Sequence, residues 1–226
     1  PSSIFAYTFS PDGTQLAALD SNLMMMWDLI TGERVFDAPR QNMSYYYFSP
    51  DKDEVYGINL EGRVRAYETS NAEAQRTYTG HPQFNGAHVF DDDGGLLAMG
   101  GFDGTVRVWD TREDLSLVTI DAHPLSINVM AFSPDRRYLA TGADDSRVRI
   151  WDWRARQQIT EIDLAGSVLS ALAFDPDNRR LAVATTENIS LWTVIGVDEA
   201  DFEFTLLTGE GGAPDVMTFR DDGQYL

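Results

Sequence analysis

No cysteine occurs in the 226 residues. That excludes a disulfide framework, a thiolate metal site and a thiol nucleophile. Histidine is nearly as scarce: His81, His88 and His123 are the only three. They are too few and too scattered for a histidine metal centre, so neither a metal nor any cofactor is expected. Lys52 is the sole lysine, beside sixteen arginines, and 36 acidic groups leave a formal net charge of −19. This deficit of cations argues against non-specific binding to nucleic acid or anionic lipid. No apolar run approaches the ~20 residues of a membrane helix, and no export signal follows the opening Pro-Ser-Ser. A cytoplasmic protein is expected. Phosphate-loop and nucleophile-elbow motifs are also missing.

What the sequence has is a repeat. A Phe followed by a turn recurs as Phe9-Ser-Pro-Asp, Phe48-Ser-Pro-Asp, Phe90-Asp-Asp-Asp, Phe132-Ser-Pro-Asp, Phe174-Asp-Pro-Asp and Phe219-Arg-Asp-Asp, at spacings of 39, 42, 42, 42 and 45 residues. An aromatic residue follows each of the first five, at Trp27, Tyr67, Trp109, Trp151 and Trp192. In the fourth copy Ile127–Phe132 reads as a strand ending at a Ser-Pro-Asp turn. Tyr138–Thr141 reads as a second strand. Arg147-Val148-Arg149-Ile150-Trp151 alternates at period two, and Gln158–Ile162 supplies a fourth. Four short strands per repeat, with no helical segment, predict an all-β propeller of four-stranded antiparallel blades.

At Gly104-Thr105-Val106-Arg107-Val108-Trp109-Asp110 and Ser146-Arg147-Val148-Arg149-Ile150-Trp151-Asp152 the chain resembles the WD-repeat propellers. Trp27-Asp28 and Gly80-His81 belong with these. The expectation is a partial WD-repeat propeller over 1–226, five full repeats and part of a sixth. The chain begins in a first strand before Phe9, without an initiator Met, and stops within a second strand at Tyr225-Leu226. Because an open ring leaves two strand edges unpaired, the expectation is that the intact protein completes seven blades.

The resemblance implies a hydrogen-bonded set of His, Ser or Thr, Asp and Trp in each good blade. A buried indole N–H requires an acceptor, and a hydroxyl can take it while donating onward. The fourth copy matches at His123, Thr141, Asp145 and Trp151. The third keeps His81, Asp103 and Trp109, with Met99 at the hydroxyl position. Copies one, two and five depart further and are expected to rely on apolar packing. Beside Thr141, the His123–Asp145 pair superficially suggests a nucleophilic triad, but the resemblance implies a structural role. Asp91-Asp92-Asp93-Gly94 has the start of a calcium loop without its distal Glu and is expected to be a solvated turn. Asp198–Glu203 is expected to be an exposed acidic insertion.

The resemblance further implies a rigid docking platform rather than an enzyme. Partners are expected on the face carrying the loops that lead into each first strand and out of each second. Mapping those positions gives Asn42, Leu60, Phe84, Phe102, Ser126, Asn128 and Asp144 as candidates, with Phe84 and Phe102 as the expected anchors. Arg65, Arg107 and Arg149 share one repeat position and are expected to form a solvated flank. The expected partner is a protein or peptide, with no nucleic acid and no membrane. The module is expected to belong to a larger intracellular signalling or regulatory protein. The alternatives are a periplasmic propeller of the TolB type, which lacks the Trp-Asp ending, or the propeller domain of an enzyme with its catalytic part elsewhere.

Overall fold

The computed structural model describes residues 4, 6–49, 53–78, 80–92, 94–113, 115–193, 204–207 and 219. Every regular element among them is a strand, and the strands form five four-stranded sheets. The first sheet holds β1 (Ala6–Phe9), β2 (Gln15–Leu19), β3 (Leu23–Asp28) and β4 (Arg34–Pro39). The second holds β5 (Met43–Phe48), β6 (Glu54–Asn59), β7 (Val64–Glu68) and β8 (Ala74–Tyr78). The third holds β9 (Phe84–Phe90), β10 (Leu96–Gly101), β11 (Thr105–Asp110) and β12 (Leu115–Asp121). The fourth holds β13 (Ile127–Phe132), β14 (Tyr138–Ala143), β15 (Arg147–Asp152) and β16 (Gln157–Asp163). The fifth holds β17 (Leu169–Phe174), β18 (Arg180–Thr185), β19 (Ile189–Thr193) and β20 (Phe204–Leu207). In each sheet the strands stand side by side in chain order. The repeated four-stranded sheets are the blades of a β-propeller.

The turn after each Phe explains why the marker recurs. In the fourth sheet the Ser133 hydroxyl accepts the Tyr138 N–H at 2.9 Å and donates to Asp135 at 2.6 Å, while Asp135 accepts the Arg137 N–H. Ser10 does the same for Gln15, and Ser49 for Glu54. Asp91 and Asp175 replace the hydroxyl with a carboxylate, accepting from Leu96 and Arg180. All five capping residues are buried. A short side-chain acceptor at this point satisfies an amide that the hairpin itself leaves unpaired. Asp91 therefore points inward and also pairs with Arg136, which corrects the reading of that segment as a solvated turn. Asp93 lies outside the described residues.

The aromatic marker has its own device. The pairing of third and fourth strands slips by one residue at Met26/Trp27, Ala66/Tyr67 and Ile150/Trp151. The extra residue, Val35, Gln75 or Ile159, stands on the fourth strand and bends that strand opposite the aromatic.

The chain divides into two compact units. The first comprises Pro1–Phe84, Asp92–Gly95 and Asp110–Leu115, and the second Asn85–Asp91, Leu96–Trp109 and Ser116–Leu226. In the first, Leu19, Met24, Met26, Met43, Val55 and Tyr67 form the core between sheets one and two. The second has two cores, one joining the third and fourth sheets through Val106, Val108, Ile127 and Leu139, the other joining the fourth and fifth through Val148, Ile150, Leu172 and Val183. Gly142 shows how closely sheets approach: a Cβ there would lie 1.9 Å from Leu169 Cδ2.

No helix among the described residues is long and apolar enough to cross a membrane.

Candidate functional site

In the fourth sheet the Trp151 indole N–H donates to the Thr141 hydroxyl at 3.1 Å. That hydroxyl lies 2.8 Å from His123 Nε2, and His123 Nδ1 is 3.0 Å from both Asp145 oxygens. A neutral imidazole satisfies every group: Nδ1–H donates to the carboxylate and Thr141 donates to Nε2. Burial pushes the His123 pKa down and outweighs the opposing pull of Asp145, while the Arg149 cation against the ring adds to the downward shift. Burial acts upward on Asp145, but His123 and Arg149 outweigh it and hold the carboxyl below its usual range.

Arg149 does not form a solvated flank. Its side chain is only 13% exposed, and its guanidinium donates to the Ala122 carbonyl, to Asp145 and to Glu161. The equivalent Arg107 is half-buried, and Arg65 donates to Thr77 and Gln41. Ion pairing with the adjacent strand draws Arg149 inward, a neighbour that period-two reading of one strand does not reveal.

Elsewhere the network takes other forms. His81, in the first unit, accepts the Gln83 N–H on Nδ1 at 3.1 Å. In the second, Asp103 accepts both the amide and the hydroxyl of Thr105. Met99 and Trp109 are buried. In the fifth sheet Ser190, two residues before the aromatic, takes the Trp192 indole N–H at 2.8 Å. The sequence reading missed this acceptor because it lies on the aromatic's own strand.

Thr141 has no exposed surface, and both neighbours of its hydroxyl are internal. A cleft of about 620 Å³ in the first unit, lined by Glu54, Tyr56 and Arg76 among others, is internally satisfied at those residues. Tyr56 and Arg76 both donate to Glu54. No group of three metal-binding side chains exists among the described residues.

The loops that join the sheets of the second unit form a continuous rim. The amides of Ala122 and His123 donate to the Gly104 carbonyl, and Asp144 N–H to Ser126. Leu164 N–H then donates to Ser146, and Thr186 N–H to Val168. Each second-strand turn is thus stitched to a leading loop, from residue 104 to residue 186. Asn85 also donates to Ser126, and Asn128 to Asp144 at 2.6 Å. From this rim project Phe102, Leu125 and Val168, respectively 65%, 48% and 62% exposed.

Of the docking candidates, Phe102, Ser126, Asn128 and Asp144 lie on this rim. Asn42 and Leu60 are exposed on loops of the first unit. Phe84 is a correction: it is only 6% exposed. Its Cβ lies where a side chain on Gly62 would fall, 2.7 Å from an ideal Cβ there. A side chain at Gly62, in the preceding repeat, would collide with Phe84 at that point. Leu125 was missed, although its place between Pro124 and Ser126, two residues after His123, marks it as a loop apolar residue. The Asp198–Glu203 insertion lies outside the described residues.

Residues 72–110 and 115–152 match the family model described as WD domain, G-beta repeat. A chain in the solved structure described as "Crystal Structure of Mitotic Checkpoint Complex" is similar with a TM-score of 0.78 and 19% identity, over 99% of this chain and 70% of that one. No curated protein sequence matches.

Proposed function

We propose that this chain, a WD-repeat protein with the propeller fold of a protein–protein interaction module, acts as a non-catalytic docking platform. The surface that receives its partner is the stitched rim of the second unit. The observation that carries this reading is the rim itself, where three large apolar side chains stand exposed on loops held by backbone hydrogen bonds. Exposed apolar groups on a pre-ordered support lower the entropic cost of association, which is what a binding surface requires. His123 and Asp145 serve to hold the fourth sheet rather than to activate a nucleophile, because Thr141 is enclosed and its hydroxyl is already engaged. The reading extends to residues 1–226 as WD repeats throughout, within a larger cytoplasmic signalling or regulatory assembly.

The test is quantitative affinity capture with the wild-type chain and with Phe102→Ser/Val168→Ser. Proteins retained by the first and lost by the second, with an unchanged melt, are the expected result. Identical capture by both chains removes this rim from consideration.

A further inference from the structure

Charge is unevenly distributed along the second unit. Arg136, Arg137, Arg154, Arg156, Arg179 and Arg180 all lie in or beside the turns joining first to second and third to fourth strands, at the end opposite the rim. At the rim end the arginines are Arg107, Arg147 and Arg149, all on third strands. Arg147 is taken by Glu161 and Asp163, and Arg149 by Asp145 and Glu161. Among the described residues no arginine pairs with Asp121, Asp144 or Glu187. Asp144 and Glu187 stand beside the apolar groups. Asp144 is bonded through its own N–H to Ser126, next to Leu125, while Glu187 follows Thr186, whose N–H holds the Val168 carbonyl.

Resting on the docking role proposed above, we infer that the partner segment received by this rim is basic and apolar, a peptide stretch in which Lys or Arg alternates with aliphatic or aromatic side chains. The apolar groups of such a segment cover Phe102, Leu125 and Val168. Its cations meet Asp121, Asp144 and Glu187, which have no counter-charge among the described residues. An acidic segment would place like charges together at the same stations, which disfavours it by electrostatic mismatch. A nucleic acid would meet the same mismatch along its whole length. The net charge of −19 adds long-range attraction for a basic partner.

Three short fluorescent peptides of equal length test this: alternating Leu/Lys, alternating Leu/Glu and alternating Ser/Lys. Their affinities are read by anisotropy against the 226-residue chain. The Leu/Lys peptide is expected to bind best and to lose binding with Phe102→Ser/Val168→Ser. Neutralising Asp144→Asn/Glu187→Gln should weaken it about three- to tenfold, the sum of two exposed charge contacts. Off-rim neutralisation, Glu113→Gln/Asp177→Asn, changes net charge equally and should leave affinity within about twofold, as expected where no contact is lost. Equal weakening by both pairs, or failure of every peptide to bind, overturns the inference. Equal binding of Leu/Glu that still depends on Phe102 and Val168 overturns the basic partner but leaves the docking rim standing. Peptide binding indifferent to Phe102 and Val168 sinks the rim reading and this inference together.

Discussion

The Trp151 indole N–H and the Thr141 hydroxyl meet at 3.1 Å, and the same oxygen lies 2.8 Å from His123 Nε2. One hydroxyl therefore serves two rings from different parts of the repeat, joining the second strand, the third strand and the loop before the first. Thr141→Val keeps the shape and removes that shared atom. Two buried polar groups then lose their partner, so a loss of about 1–3 kcal/mol is expected. Denaturant unfolding measures it. An unchanged midpoint would show that the network does not hold the fourth sheet.

The protonation of His123 gives a signed expectation for pH. Its folded pKa is lowered by burial, as is that of His88, whose Nδ1 is engaged with the Gly86 carbonyl. An unfolded histidine titrates near 6.5, so the unfolded chain takes up protons that the folded chain refuses. Stability contributed by the two neutral rings is fully present above about pH 6.5 and declines as pH falls below that value. Asp145, held below its usual range, adds a second decline only below about pH 4. Melting temperatures between pH 7.5 and 5 should therefore fall, and His88→Gln should make the fall shallower. A flat profile, or one rising toward acid, contradicts the assignment of neutral buried rings.

The repeat was legible because its punctuation is local. Ser133 accepts an amide five residues ahead, so the residue after Phe132 carries its turn within one short stretch. The spacing marked Trp151, whereas the set of His123, Thr141, Asp145 and Trp151 came from the resemblance to WD-repeat propellers. What escaped depends on chain that is distant in sequence. Phe84 is buried at a point where it approaches Gly62, in the preceding repeat. Arg149 is drawn inward by Glu161 on the next strand. The rim is built from backbone hydrogen bonds, which no residue identity announces. Leu125 becomes meaningful only once its loop is seen stitched beside Gly104.

Phe84 and Phe102 look equivalent as loop aromatics, yet burial separates them. Phe84→Ala empties a packed site and should cost about 3 kcal/mol or more. Phe102→Ser exchanges an exposed ring for solvent and should change stability by less than about 0.5 kcal/mol. Parallel unfolding curves decide the matter. If Phe102→Ser destabilises as much as Phe84→Ala, the Phe102 ring is structural and cannot serve as a free anchor.

Gly104 separates backbone conformation from contact. Its φ is +75°, and a Cβ there would lie 1.9 Å from the His123 carbonyl oxygen and 2.8 Å from that of Leu125. Gly13 has a similar φ of +69° with nothing within 4 Å. Gly13→Ala should therefore show only the left-handed penalty, about 1–2 kcal/mol. Gly104→Ala carries that penalty and also pushes against fixed backbone, displacing the loop that holds both His123 and Leu125. Its loss should exceed that of Gly13→Ala, and it alone should weaken binding of the Leu/Lys peptide. Equal losses in the two variants, with peptide binding intact in both, would mean that the 102–104 turn and the 122–126 loop are not the rigid support on which the docking reading depends.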